Sequence, residues 1–285
     1  MDGLRGLPNF GNTCFINSVL QILLNIPALQ QLNALPDAYA NLVQSYFDVS
    51  DVPLPVALRQ FIVSAGLFKG QQGDQHEILS EMMNILHEGF KQRIMPGMPG
   101  EPDASPVLTY FTGQHHGEIV CECGAVSNRF ESFCTIELPL YGQSLTDCLA
   151  KFTEIETLPD YTCETCYCSR LAANRVTFDR LPPVVSFAVK RNTYVDNRPK
   201  KNLTVLHAPD SIDLRPFMSK YGPPQPYRLF AIANHSGEPE FGHCYATLFK
   251  EQTWYVVNDH QVLPLPQGRS DCSTDYIYWY TTLDG

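Results

Sequence analysis

The chain has 285 residues, 20 basic against 30 acidic, a net charge of −10 and a hydrophobic fraction of 44%. That length supports one large core or two smaller ones, and the acidic balance excludes the usual nucleic-acid binder with its basic face while suiting a basic partner. No apolar run approaches the ~20 residues of a membrane span and no signal-peptide pattern follows Met1. The expected compartment is therefore cytosol or nucleus, with no membrane partner; disulfides are rare there, so the ten cysteines need another account.

The first element is announced by Gly6-Leu7-Pro8-Asn9-Phe10-Gly11-Asn12-Thr13-Cys14-Phe15-Ile16-Asn17-Ser18. A loop of Gly, Pro and Asn runs into a cysteine, and apolar residues then recur at helical spacing: Phe15, Ile16, Val19, Leu20, Ile22 and Leu23. Cys14 thus stands at a helix N-terminus, where unpaired amides favour thiolate over thiol. It is a candidate nucleophile; the plain alternative is a small core residue.

This helix is expected to end near Asn25. Pro27 fits the first turn of a second helix that stops before Pro36. Residues 39 to 68 read as one or two helices broken at Pro53 and Pro55. Gln71-Gln72-Gly73-Asp74-Gln75-His76-Glu77 then leads into Ile78, Leu79, Met82, Met83, Ile85, Leu86 and Phe90, an amphipathic helix of about four turns. Asp74 and Glu77 have the spacing of a capping box. The Pro- and Gly-rich stretch 94–107 predicts a mobile surface loop or linker.

Beyond it the composition turns to strands at residues 184–189, 227–233, 245–249, 254–257 and 276–280, with 250–252 as a connection. No internal repeat is present. Helices first and strands later predict an α+β fold with a mainly antiparallel sheet.

A cysteine nucleophile needs a base, and the base an orienting group. Among eight histidines, His243 opens a strand, and Val256-Val257-Asn258-Asp259 closes the next. Two adjacent antiparallel strands bring such positions together, so Asn258 can orient His243 toward Cys14; the alternative is a structural histidine at a strand edge. Four cysteines, Cys121, Cys123, Cys163 and Cys166, form a metal-type grouping. Cys163 and Cys166 have the usual two-residue spacer. Cys121 and Cys123 have only one, so Cys168, His115 or His116 can stand in for one of them, and free thiols are the alternative. Cys134, Cys148 and Cys272 read as thiols without a role.

Together these motifs resemble the catalytic domain of a ubiquitin-specific protease, a papain-like cysteine peptidase. The opening stretch around Cys14 resembles the family's cysteine box. Tyr227-Arg228-Leu229-Phe230-Ala231-Ile232-Ala233-Asn234-His235-Ser236-Gly237 with Gly242-His243 resembles its histidine box. Gln72-Gly73-Asp74-Gln75-His76-Glu77-Ile78-Leu79 resembles its glutamine-acid motif, and Leu181-Pro182-Pro183 through Lys190-Arg191, Ile212 to Phe217 and Tyr276 to Tyr280 follow in family order. The likeness runs from about residue 6 to 281.

The resemblance implies a single domain over 1–285: a helical thumb to about 110, short zinc-finger-like fingers over about 111–190, and a β palm over about 191–285. It implies Cys14 as nucleophile, His243 as base, Asn258 as orienter assisted by Asp259, and Asn9 as an oxyanion donor. Gln72, Asp74, Glu77, His235 and Cys244 would meet the tail of ubiquitin, with Asp74 and Glu77 holding its arginines and Glu77 also serving the cap. A structural zinc would be held by the four grouped cysteines, with no cofactor for catalysis. The expected partner of a monomeric enzyme is ubiquitin and its conjugates. The alternatives are a ubiquitin-like modifier of the interferon-induced type, or a ubiquitin-binding adaptor without activity.

Three residues depart from the family pattern: Gly73 and Gln75 within the glutamine-acid motif, and Cys244 where a tyrosine usually follows the histidine. The smaller Cys244 is expected to widen the channel for the terminal glycines. A start so close to the cysteine box suits either a minimal enzyme or one domain of a longer chain.

Overall fold

The structure is a computed structural model that describes residues 3–30, 36–68, 70–94, 105–195, 198–220, 226–239 and 241–282. Helix α1 (Cys14–Leu24) begins at the cysteine, and all eleven of its residues are buried. A helix without a polar face belongs inside a core, and α1 lies between the later helices and the main sheet. It stops at Asn25, whose amide returns to Ile22. Pro27 starts only a 3-10 turn, Pro27–Leu29; residues 31–35, the rest of the expected second helix, lie outside the described residues.

Helices α2 (Asp37–Tyr46) and α3 (Leu54–Ser64) are separated at Pro53, with Pro55 in the first turn of α3. Helix α4 (Gln75–Ile94) has 20 residues, longer than the four turns expected. Its buried face is Ile78, Leu79, Met82, Met83, Leu86 and Phe90. Most of the expected 94–107 linker, residues 95–104, lies outside the described residues. The linker ends in helix α5 (Pro106–Phe111), capped by Ser105, whose side chain accepts from the Val107 amide.

The next stretch divides between two sheets. Strands β1 (Gly113–Cys121) and β2 (Val126–Phe133) form a hairpin. After β3 (Ile136–Pro139) and helix α6 (Leu145–Phe152) come β4 (Glu156–Thr162) and β5 (Ser169–Arg180). A four-stranded sheet of order β2-β1-β5-β4 carries the four grouped cysteines at its tip. In contrast, β3 and the almost wholly buried β6 (Val184–Lys190) belong to the main sheet, pairing in parallel. The fingers expected over 111–190 therefore surrender β3, α6 and β6 to the palm.

A small hairpin follows, β7 (Asn192–Val195) with β8 (Arg198–Lys201), and then the short β9 (Ser211–Asp213). The palm is completed by β10 (Pro226–Gly237), β11 (Gly242–Lys250), β12 (Thr253–Asn258), β13 (Gln261–Leu265) and β14 (Asp275–Thr281). The eight-stranded sheet has order β13-β12-β11-β10-β14-β6-β3, with β9 on β10.

Its two faces carry two apolar clusters. One joins Ala231, Ala246 and Trp279 to α1 through α4; the other joins Ile232, Phe187 and Tyr280 to α6. This period-two division of β10 is what a strand covered on both faces must show. The connection 250–252 is a tight hairpin turn in which Glu251 and Gln252 both take positive φ, 49° and 63°, the backbone sign that fits a two-residue hairpin. The architecture is α+β and papain-like, with helices packed on a mainly antiparallel palm.

Candidate active site

Cys14 opens α1, whose N-terminus points at the start of β11. His243 is the second residue of β11 and Asn258 the last of β12. The pairing of Ala246 with Val257 sets the two strands in register, and His243 Nε2 donates to Asn258 Oδ1 at 2.6 Å. Since that oxygen only accepts, the Nε2 proton is fixed and Nδ1 is left to serve Cys14.

The charges follow this geometry. The neighbouring Cys244 side chain lowers Cys14 most, and burial opposes it; with the Cys244 amide and His243 also lowering, and Asp259 raising, Cys14 settles at about 6. His243 is destabilised as a cation by burial. The Asn258 bond, Cys14 and Asp259 together outweigh that and hold it above its ordinary value. Shifts in these opposite senses favour a thiolate–imidazolium pair. Cys244, beside Cys14 and buried, is pushed well above the usual thiol range.

Asp259 and Asn9 form the frame of the loop. Asp259 sits in a left-handed turn at φ 47°. Its Oδ1 accepts from Asn17 Nδ2 at 2.8 Å and its Oδ2 from Asn9 Nδ2 at 2.9 Å. Asn9 Oδ1 in turn accepts from the amides of Gly11 and Thr13 at 2.9 and 3.2 Å. Asp259 thus touches His243 through its charge alone, while bonding the loop that precedes Cys14. Asn9 is exposed and spends one amide hydrogen on Asp259; the second remains for an oxyanion.

The five residues expected to meet a tail, Gln72, Asp74, Glu77, His235 and Cys244, all line one cavity of about 210 Å³ beside Cys14. Their tasks differ. Asp74 Oδ1 caps α4 by accepting from His76 and Glu77 amides at 2.7 and 3.3 Å, and the carboxylate accepts Tyr276 Oη at 3.0 and 3.1 Å. Glu77 is exposed. The cap is therefore Asp74's task, and Glu77 is the more open carboxylate. His235 Nδ1 meets Lys201 Nζ at 3.0 Å, and Lys201 also donates to the His235 carbonyl. Burial first and then Lys201 push His235 down to about 4, so the ring is neutral.

Sequence reasoning missed Asn17, Tyr276 and Lys201. Asn17 lies inside the cysteine box and Tyr276 opens the closing aromatic strand, so both were within recognised motifs. Lys201 carried no signal. For Cys244 the sequence showed its size but not its effect on the Cys14 thiol.

At the far end of the fingers, the Sγ atoms of Cys121, Cys123, Cys163 and Cys166 lie within 4.8 Å of one another. Cys123 and Cys163 are 3.8 Å apart, close to the roughly 3.8 Å edge of a tetrahedron with 2.3 Å metal–sulfur bonds. The single-residue spacer works because Gly124, at φ 86°, turns the chain and its amide returns to Cys121. His115 and His116 are six and five residues up the strand from Cys121, roughly 17–20 Å away. There His115 packs on Phe133, and His116 bonds Asn128 at 2.7 Å. Neither stands in for a cysteine. The donor set, four thiols without a carboxylate, suits a soft metal ion in a closed site.

Among the described residues no helix is long and apolar enough to cross a membrane. The profile of the ubiquitin carboxyl-terminal hydrolase family matches residues 5–280. Human ubiquitin carboxyl-terminal hydrolase 2 is 29% identical over 98% of this chain and 55% of its own length, and rat ubiquitin carboxyl-terminal hydrolase 21 is 27% identical over 99% and 62%. The chain thus spans little more than half of these relatives. A chain of the SAGA Ubp8/Sgf11/Sus1/Sgf73 DUB module bound to ubiquitin aldehyde superposes with a TM-score of 0.89 at 24% identity, covering 98% of this chain and 70% of that one. With the profile running from the loop before Cys14 to the last palm strand, this chain belongs to the ubiquitin carboxyl-terminal hydrolase family.

Proposed function

We propose that the chain is a cysteine-type deubiquitinase that hydrolyses isopeptide bonds after the C-terminal glycine of ubiquitin. The observation that carries this reading is the His243 ring, fixed by Asn258 through one nitrogen and coupled by charge to Cys14.

The Cys14 thiolate attacks the glycine carbonyl. The free hydrogen of Asn9 and amides near Cys14 meet the oxyanion. His243 protonates the leaving lysine amine, giving a thioester; it then takes a proton from water, which attacks the thioester and frees Cys14. Asn258 keeps the ring in place, and the Asp259 charge supports its cationic form. Glu77 receives an arginine of the incoming tail, with Asp74 holding the start of α4 and His235 and Cys244 lining the passage.

A structural zinc ion is held by Cys121, Cys123, Cys163 and Cys166; it closes the tip of the fingers and takes no part in the reaction. The enzyme acts as a monomer in cytosol or nucleus, on ubiquitin conjugates and without nucleic acid.

A ubiquitin probe with a C-terminal electrophile tests the activity: it labels the protein at Cys14, and Cys14→Ala abolishes labelling. The small Cys244 favours one second reading, a ubiquitin-like modifier of the interferon-induced type, which labelling by that modifier's probe alone would support. Binding of ubiquitin with no labelling by either probe would make the chain an adaptor and refute the enzymatic reading.

A further inference from the structure

The segment just before α4 touches the chain neighbours of both members of the candidate pair. Gln72 Nε2 donates to the carbonyl of Gly242 at 2.6 Å, and the Gly242 amide donates back to Gln72 Oε1 at 3.4 Å. One side chain thereby satisfies both backbone groups of the residue directly before His243, as a neighbouring strand would. Only glycine fits there. A Cβ on residue 242 would stand 2.1 Å from His235 Nε2 and 2.6 Å from the Ser236 carbonyl.

The same segment is seated on α1. A Cβ on Gly73 would stand 2.8 Å from the ring of Phe15, the residue after Cys14. Gln75 is buried and donates Nε2 to Ser18 Oγ at 2.7 Å, one turn further along α1. Gly73 and Gln75 are two of the departures from the family's usual motif, and they are the residues that press this segment onto the helix of Cys14. Gln72 then reaches from that seat to the strand of His243.

We propose that Gln72 is a positioning residue of the reaction: by clasping Gly242 it sets where His243 stands relative to Cys14. This rests on the reading of Cys14 and His243 as the catalytic pair. Both polar atoms of the Gln72 amide are spent on Gly242, so a substrate tail would have to displace them to use this side chain. A catalytic base misplaced by about 1 Å costs on the order of a hundredfold, and a two-point clasp on the adjacent peptide is a short lever on that distance.

The test compares Gln72→Ala with Gln72→Met, which keeps length and removes both hydrogen bonds. Thermal unfolding reports the fold of each, so that one folded variant suffices. Two properties are read. One is kcat and KM on a fluorogenic C-terminal amide of ubiquitin. The other is the pH dependence of Cys14 carbamidomethylation by iodoacetamide, followed on its own peptide by mass spectrometry; this needs no ubiquitin.

The expected result is a kcat lowered about 10- to 100-fold with KM unchanged within about twofold. The midpoint of Cys14 alkylation moves up in pH, because the His243 charge is withdrawn from the thiolate. A raised KM with kcat intact would overturn the proposal and make Gln72 a substrate contact. An unmoved alkylation midpoint would overturn it as well. If the wild-type protein cleaves no ubiquitin amide, the function proposed above fails, and the alkylation midpoint alone decides for or against Gln72.

Discussion

Asn258→Ala isolates the short bond that fixes the imidazole. His243 Nε2 and Asn258 Oδ1 stand 2.6 Å apart, and the ring carries charge while Cys14 is a thiolate. A hydrogen bond to a charged group contributes about 1.5–3 kcal/mol, so its loss lowers kcat by roughly 10- to 150-fold. Asp259 is the only neighbouring carboxylate in the turn. Both its oxygens are held by Asn9 and Asn17, so it replaces Asn258 only by releasing the loop before Cys14. The pH profile carries a second signature. The active pair needs Cys14 deprotonated and His243 protonated, so activity rises through about 6, where Cys14 titrates, and falls above the raised value of His243. Removing Asn258 removes one of the interactions that raise His243, and the alkaline limb moves to lower pH. Asn258→Asp keeps an acceptor and adds a negative charge, which moves that limb upward. The assay is hydrolysis of a fluorogenic ubiquitin amide across pH. An Asn258→Ala protein with kcat within about twofold of wild type and an unmoved alkaline limb would refute this account of the ring.

The two acids of the glutamine-acid motif separate by measurement. Asp74→Ala strips two helix amides and the Tyr276 hydroxyl of their acceptor and lowers stability by about 1–3 kcal/mol in denaturant unfolding. Glu77→Ala leaves stability within about 0.5 kcal/mol and raises KM on the order of tenfold; the reverse pattern would exchange their roles. The cysteine cluster predicts one zinc per chain by elemental analysis of freshly purified protein. Chelation is expected to lower the thermal midpoint and free four thiols for titration, and Cys123→Ser to weaken metal retention. Protein without stoichiometric zinc, or with a midpoint indifferent to chelator, would remove the metal from the fingers.

The amino-acid sequence by itself determined the helical first part, the palm strands and the residues that meet at the site. Those features follow from local signals: a cysteine opening an apolar helix, Pro53 and Pro55 dividing two others, buried strands with strong β composition, and motifs in family order. The finger strands went unread because β2 and β4 are largely exposed, while β1 is mostly half-buried and β5 mixed, so hydrophobic alternation does not mark them. The one-residue spacer between Cys121 and Cys123 likewise looked too tight, until the turn at Gly124 brought both sulfurs to one point. Only the tertiary structure decided how tasks are shared within the site. It gave the α4 cap to Asp74 rather than to a reciprocal pair with Glu77, tied Asp259 to Asn9 and Asn17, and set the buried Cys244 beside Cys14. Each of these joins residues far apart in the chain or chooses among several acceptors near in space. Spacing along a sequence identifies which groups are present; the packing of α1 and α4 against β11 decides which of them meet.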